Sequence, residues 1–178
     1  MFNLDLNGNY ILGFYDTYAA GIDHLGIKSN IYINCGVTLL NLKKLREDNK
    51  TLELFNVANT DIKLPSVDQT LLNYLLYPKI GRLPCKFGTW NFADRSDIKL
   101  YLSKLRTKVP IEELEEGMKN PGVVYSVLWY PKIWSNQTIT SCDNKPNCSC
   151  RKFFNIWHSF AKQTDYYEEI IKFTGILN

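Results

Sequence analysis

The chain has 178 residues, a natural length for one domain with a sizeable core, and its 45% hydrophobic and 22% charged composition is that of an ordinary globular protein. A formal net charge of +3 gives no reason to expect nucleic acid or an anionic membrane as partner. No run of 18 or more apolar residues marks a transmembrane helix.

Met1 to Asp5 carries no basic region followed by an apolar one, so it is not a signal peptide. It reads like the middle of a domain and predicts a truncated or partial gene product. Tyr10 to Tyr15, bounded by Gly8 and Asp16, predicts a strand. Residues 17–30 read as a loop, and Ile31-Tyr32-Ile33 as a short extended segment. Val37 to Leu40 is β-branched and apolar and predicts a buried strand. Asn41 can then cap a helix from Leu42, with Leu42 and Leu45 inward and Lys43, Lys44 and Arg46 on a solvated face.

Leu52 to Ala58 reads as helix. Pro65-Ser66 breaks the chain, and Ser66 or Asp68 caps a helix over Val67 to Tyr77 with an apolar stripe of Leu71, Leu72, Leu75 and Leu76. Pro78 stops it. Ile80 to Leu83 predicts a strand and residues 84–97 a loop, while residues 98–108 suit either period. Ile111 to Met118 is an acidic helix ended by Asn120-Pro121-Gly122. Val123 to Leu128 predicts a strand, Pro131 to Pro146 a loop, and Arg151 to Leu177 helix, in two pieces. Strands alternating with helices make this an α/β domain, residues 1–178, with a mixed set of elements and no repeat.

The 13% share of aromatic residues suits core packing first and a sugar-handling surface second. Of the five cysteines, Cys142, Cys148 and Cys150 share one loop; a local disulfide or reduced thiols are preferred there over a zinc site, for which a fourth ligand is missing. Asn49-Lys50-Thr51, Asn136-Gln137-Thr138 and Asn147-Cys148-Ser149 fit the glycosylation pattern and bear only on a chain in a secretory compartment. The compartment, cytoplasm or secretory-pathway lumen, is left open.

No glycine-rich phosphate loop and no His-Glu-x-x-His occurs, and the two histidines, His24 and His158, read as surface or packed residues. Three other segments carry candidate chemistry. In Asn34-Cys35-Gly36-Val37-Thr38, an amide precedes a glycine that permits close backbone approach, although alone the pair reads as a turn. Asp68-Gln69, followed by Asn73, sits at a helix start, where a carboxylate is stabilised; a plain cap is the simpler reading. In Val123 to Trp134, a strand runs out to Lys132, whose charge suits a phosphate, although a surface lysine beside core tryptophans is equally available.

In this order and spacing, the segments resemble glycosyltransferase family 8. Asn34-Cys35-Gly36 through Arg46 is similar to that family's Asn-Ser-Gly strand and following helix, and Asp68-Gln69-Thr70-Leu71-Leu72-Asn73 to its Asp-Gln-Asp helix start. Ile80 to Lys86 resembles the strand and Leu-Pro turn that follow, Lys132-Ile133-Trp134 the Lys-Pro-Trp, and Trp157 to Ala161 the terminal Trp helix. Leu4 to Asp16 fits the segment after the family's Asp-x-Asp, so the chain resembles the C-terminal part of a catalytic domain.

The resemblance implies a partial GT-A type fold, a nucleotide-diphospho-sugar transferase-like mixed sheet flanked by helices. It implies retaining transfer of a hexose from a nucleotide sugar, usually a UDP-sugar with Mn2+ (manganese), to a carbohydrate or glycoconjugate acceptor. By the same resemblance Gln69 and Asp68 are the catalytic pair, with Gln69 near the anomeric carbon. Asn34, Gly36 and Lys132 bind substrate, Lys132 at the diphosphate. Ser126 stands where the family has a metal-binding His, Trp129 where it has Gly, and no Asp-x-Asp occurs in the sequence. These departures predict a chain that lacks activity by itself. The alternative is a non-catalytic binding or structural protein built on the same scaffold.

Overall fold

The structure is a computed structural model and describes residues 3–16, 25–26, 31–90, 95–104, 109–125 and 149–174. A three-stranded mixed sheet lies at its centre, in the order β2-β1-β3. Strand β1 (Ile11–Tyr15) pairs antiparallel with β2 (Ile33–Leu40) and parallel with β3 (Ile80–Arg82). Strand β1 is paired on both edges and packed on both faces, and Ile11, Leu12 and Phe14 are all buried.

Two cores form on the sheet. Ile11 packs with Tyr10, Ile33, Leu45, Leu76 and Ile80, while Phe14 packs with Cys85, Tyr101, Val109 and Leu114. Each fully buried aliphatic here contributes about 1.5–3 kcal/mol. The alternation of Ile11 and Phe14 between the cores is the period-2 rule applied to a strand with no solvent face.

Three helices join β2 to β3: α1 (Leu42–Glu47), α2 (Lys50–Ala58) and α3 (Val67–Leu76). Asn41 caps α1 as expected, its Oδ1 accepting from Lys44 N at 3.1 Å. Leu45 is buried, but Leu42, the first residue of the helix, is 56% exposed. Strand β2 starts four residues before the expected Val37, at Ile33.

Beyond β3, residues 84–97 are not a plain loop. Cys85–Phe87 is a 3-10 turn, β4 (Thr89–Trp90) follows, and α4 (Arg95–Lys104) begins inside the segment. Then come α5 (Ile111–Lys119) and β5 (Val124–Tyr125), which pairs parallel with β4. Two helices end the chain's described part, α6 (Ser149–Ala161) and α7 (Tyr167–Thr174), as the two-piece expectation had it.

The α5 side is pinned to the sheet by charge and by close approach. Arg82, at the end of β3, donates to Glu113 of α5 through two parallel bonds of 2.7 and 2.8 Å, and Glu113 Oε1 also accepts from Cys85 N at 3.0 Å. A Cβ at Gly117 would stand 3.0 Å from the backbone N of Lys86, so α5 needs a glycine at this crossing. Among the described residues no helix is long and apolar enough to cross a membrane.

Candidate functional site

The site is built where β1 ends, β2 bulges and α3 begins. Along β1 and β2 the register runs Ile11 with Leu40, Leu12 with Leu39, Gly13 with Thr38, and then jumps to Phe14 with Asn34. Cys35, Gly36 and Val37 fall between register pairs, so β2 bulges there. Gly13 allows it: a Cβ on Gly13 would lie 2.7 Å from Ile33 Cδ1 and 2.8 Å from Ile33 Cβ. The Asn34-Gly36 segment, which alone reads as a turn, is therefore a bulge inside a strand. Its geometry is set by the neighbouring strand, which no local pattern reports.

Asp16, one residue past the carboxyl end of β1, organises the site. Its Oδ2 accepts from Asn34 Nδ2 at 3.2 Å and from Gln69 Nε2 at 3.1 Å. Asn34 Oδ1 in turn accepts from Gly36 N at 2.9 Å, which fixes the bulge. Gln69 Oε1 accepts from Cys35 N at 3.3 Å. One carboxylate thus orients two amides that lie 35 residues apart in the chain (69 minus 34). Sequence reasoning missed Asp16 as a site residue, using it only to end a strand. The available signal was its place at the carboxyl end of a sheet strand, where α/β sites gather.

Helix α3 presents a polar buried face to this region. Asn73 is fully buried, its Oδ1 accepting from Ile33 N and its Nδ2 donating to Ile33 O and to Gln69 O, each at 2.8 Å. Thr70 is also fully buried, with Oγ1 3.0 Å from Tyr32 Oη and accepting from Ser66 N at 3.1 Å. The expected leucine stripe is only partly right: Leu76 is buried, while Leu71, Leu72 and Leu75 are half-buried. The expected cap is also corrected. Ser66 occupies the N-cap position but makes no side-chain cap bond; Thr70 Oγ1 instead accepts from its backbone N–H, and the chain turns sharply at Val67.

Of the sequence-derived site residues, Asn34, Gly36 and Gln69 are brought together around Asp16. Asp68 is exposed at the start of α3, close enough for its charge to act on Cys35. Burial, with the charges of Asp68 and Asp16, pushes the Cys35 thiol up to about 12, so it is a neutral thiol and not a nucleophile at physiological pH. Lys132, Ser126, Trp129 and the loop carrying Cys142 and Cys148 lie outside the described residues. Chemically, the described site offers two side-chain amides and the Asp16 carboxylate, with Asp68 exposed at the adjoining helix start, a donor and acceptor set suited to hydroxyl groups.

His158 belongs to another part of the molecule. It is buried on α6 among Phe154, Trp157 and Tyr167, with Nδ1 3.2 Å from Tyr167 Oη. It is a packed histidine, as one of the two expectations had it.

The sequence model of glycosyl transferase family 8 matches residues 1–115. That span holds Asp16, Asn34, Gly36, Asp68, Gln69 and Asn73; Lys132-Ile133-Trp134 and Trp157 to Ala161 lie beyond it. No curated protein is matched by sequence. Among solved structures, the fold is similar to that of WbbM, described as a bifunctional glycosyltransferase, with a TM-score of 0.70 at 17% identity. The likeness covers 96% of this chain and 31% of that one, so this chain spans about a third of WbbM. An active-site mutant of LgtC is also similar, with a TM-score of 0.46 and 19% identity over 84% of this chain and 53% of that chain. The mixed sheet flanked by helices is of the GT-A glycosyltransferase type.

Proposed function

This chain belongs to glycosyl transferase family 8, and from that premise we propose that its cleft handles the sugar of a nucleotide-sugar donor, a UDP-hexose. In this proposal the hexose passes with retention of configuration to a carbohydrate or glycoconjugate acceptor. One observation supports the reading above the others: Asn34 and Gln69 converge on the single carboxylate of Asp16.

The chemistry follows from what the groups can do. A hexose presents hydroxyls that both donate and accept, and two fixed amides beside two carboxylates match them. Gln69, the residue assigned to the anomeric carbon, is held at both ends of its amide by Cys35 N and Asp16 Oδ2. Such a group needs little reorganisation when charge develops on the sugar ring. Asp68 is assigned to the donor sugar and Lys132 to the diphosphate, where its positive charge stabilises the departing nucleotide.

Manganese, which the family resemblance implies, does not fit the groups that are described. Asp16 is engaged by two amides, and among the described residues no cluster of three or more His, Cys, Asp or Glu side chains is placed to hold a metal ion. Ser126, in the place of the family's His, is a poor manganese ligand. No step is assigned to a metal.

The test is hydrolysis or transfer with UDP-glucose and UDP-galactose. Turnover that is lost in both Gln69→Ala and Lys132→Ala supports the assignments; turnover that survives both counts against them. A second reading, a non-catalytic protein that kept the scaffold, is favoured by Ser126 and Trp129 in the places of the family's His and Gly. Calorimetry with UDP separates the two: binding supports the enzyme, and no binding supports the scaffold protein.

A further inference from the structure

Val67 is the first residue of α3, and its φ is +33°. That is left-handed backbone, which costs a β-branched residue more than any other kind, since its two γ-carbons crowd the adjacent carbonyl. The side chain gains nothing in return, being 71% exposed. Strain of this sort persists only when the surroundings over-determine it. Here they do. Val67 N donates to Leu64 O at 3.1 Å, closing a turn over Pro65 and Ser66. Thr70 Oγ1 holds Ser66 N, and Asn73 holds both Gln69 O and the Ile33 peptide of β2. The strained residue is thus clamped on both sides, and the next two residues are Asp68 and Gln69.

We propose that Val67 is a positioning residue: its left-handed backbone, held against its own preference by the bonds on either side, sets the entry angle of α3 so that Gln69 reaches Cys35 and Asp16. Within the clamp the γ-carbons of valine confine φ and ψ to a narrow range, whereas glycine, with no Cβ, admits a wide one. What the cleft binds rests on the donor-site reading; the aim of Gln69 does not.

The test therefore uses no ligand. Backbone amide hydrogen exchange at Cys35, whose N–H is held by Gln69 Oε1, reports the aim of Gln69 directly. Two variants are compared with the full chain as it stands. Val67→Gly relieves the strain, so Tm rises by about 2–4 °C, yet Cys35 exchange accelerates by about tenfold as the helix start loosens. Val67→Asn also tolerates the left-handed region but is stiffer than glycine, so Tm rises and Cys35 protection is retained. A merely structural role would move stability and protection in the same direction. The proposal is overturned if Val67→Gly lowers Tm, or if it raises Tm and leaves Cys35 protection unchanged. Separately, absence of UDP-glucose binding by the unaltered chain would overturn the donor-site reading and leave this result standing.

Discussion

Asn73 grips the peptide of Ile33 at both ends, accepting its N–H and donating to its C=O, each at 2.8 Å. A side-chain amide on a helix thus takes the place of a neighbouring strand along the outer edge of β2, whose other side pairs with β1. Buried backbone groups need partners, and here α3 supplies them. The same side chain donates to Gln69 O, so the sheet edge and the start of the helix are fixed by one residue.

Asn73→Ala leaves the buried N–H and C=O of Ile33 without their partner and opens a small void. Stability should fall by roughly 2–5 kcal/mol, read as a lower urea midpoint. A loss under about 1 kcal/mol would mean that water replaces the amide freely.

How much of this was legible in the sequence can be judged residue by residue. Asn41 as a cap, β1, α3 and the pair Asn34 and Gln69 were all readable, because each rests on local chemistry or on an ordered motif. Periodicity places Leu42 inward with Leu45, but at the first residue of the helix it is exposed. Asp16 was read as punctuation, since its role depends on two amides that reach it from 18 and 53 residues away. The polar buried face of α3 was hidden for the same reason: Thr70 and Asn73 have partners on another element. Residues 84–97 hold turn-forming types, and tertiary contacts with α5 order them into a 3-10 turn, a strand and the start of a helix.

The Arg82 and Glu113 pair predicts an acid-side dependence. The hydrogen bonds from Arg82 hold the Glu113 carboxyl below its ordinary range. The folded pKa lies below the unfolded value, about 4.3, so its stabilisation is complete above that pH and is lost as pH falls from there through the folded value. Glu113→Gln should cost about 1–2 kcal/mol at neutral pH and flatten the pH dependence of unfolding below that value. An unchanged acid limb would contradict this.

His158 predicts a second dependence, in a higher window. Burial, helped by the Lys162 ammonium, lowers its pKa. Protonation therefore favours the unfolded chain, and the stabilisation present above about pH 6.5 is lost as pH falls from there through the folded value. The urea midpoint of the unaltered chain should drop between pH 7.5 and 5.5, and His158→Phe should reduce that drop. An equal drop in the variant would assign it to another group.

Asp16→Ala should free both amides while leaving the buried cores intact. Affinity for a UDP-hexose is expected to fall by about 10- to 100-fold, the loss of one or two charge-assisted contacts with the groups that orient the sugar. Affinity for UDP alone should change little. Equal losses for both ligands would place Asp16 at the nucleotide instead.

The most direct measurement is a titration of the isotope-labelled chain with UDP-glucose, following the side-chain amide signals of Asn34 and Gln69 by nuclear magnetic resonance. The proposed sugar site requires both pairs of signals to shift together and saturably, with that of the exposed Asn59 at the end of α2 unmoved. Binding that leaves Asn34 and Gln69 unperturbed would contradict it.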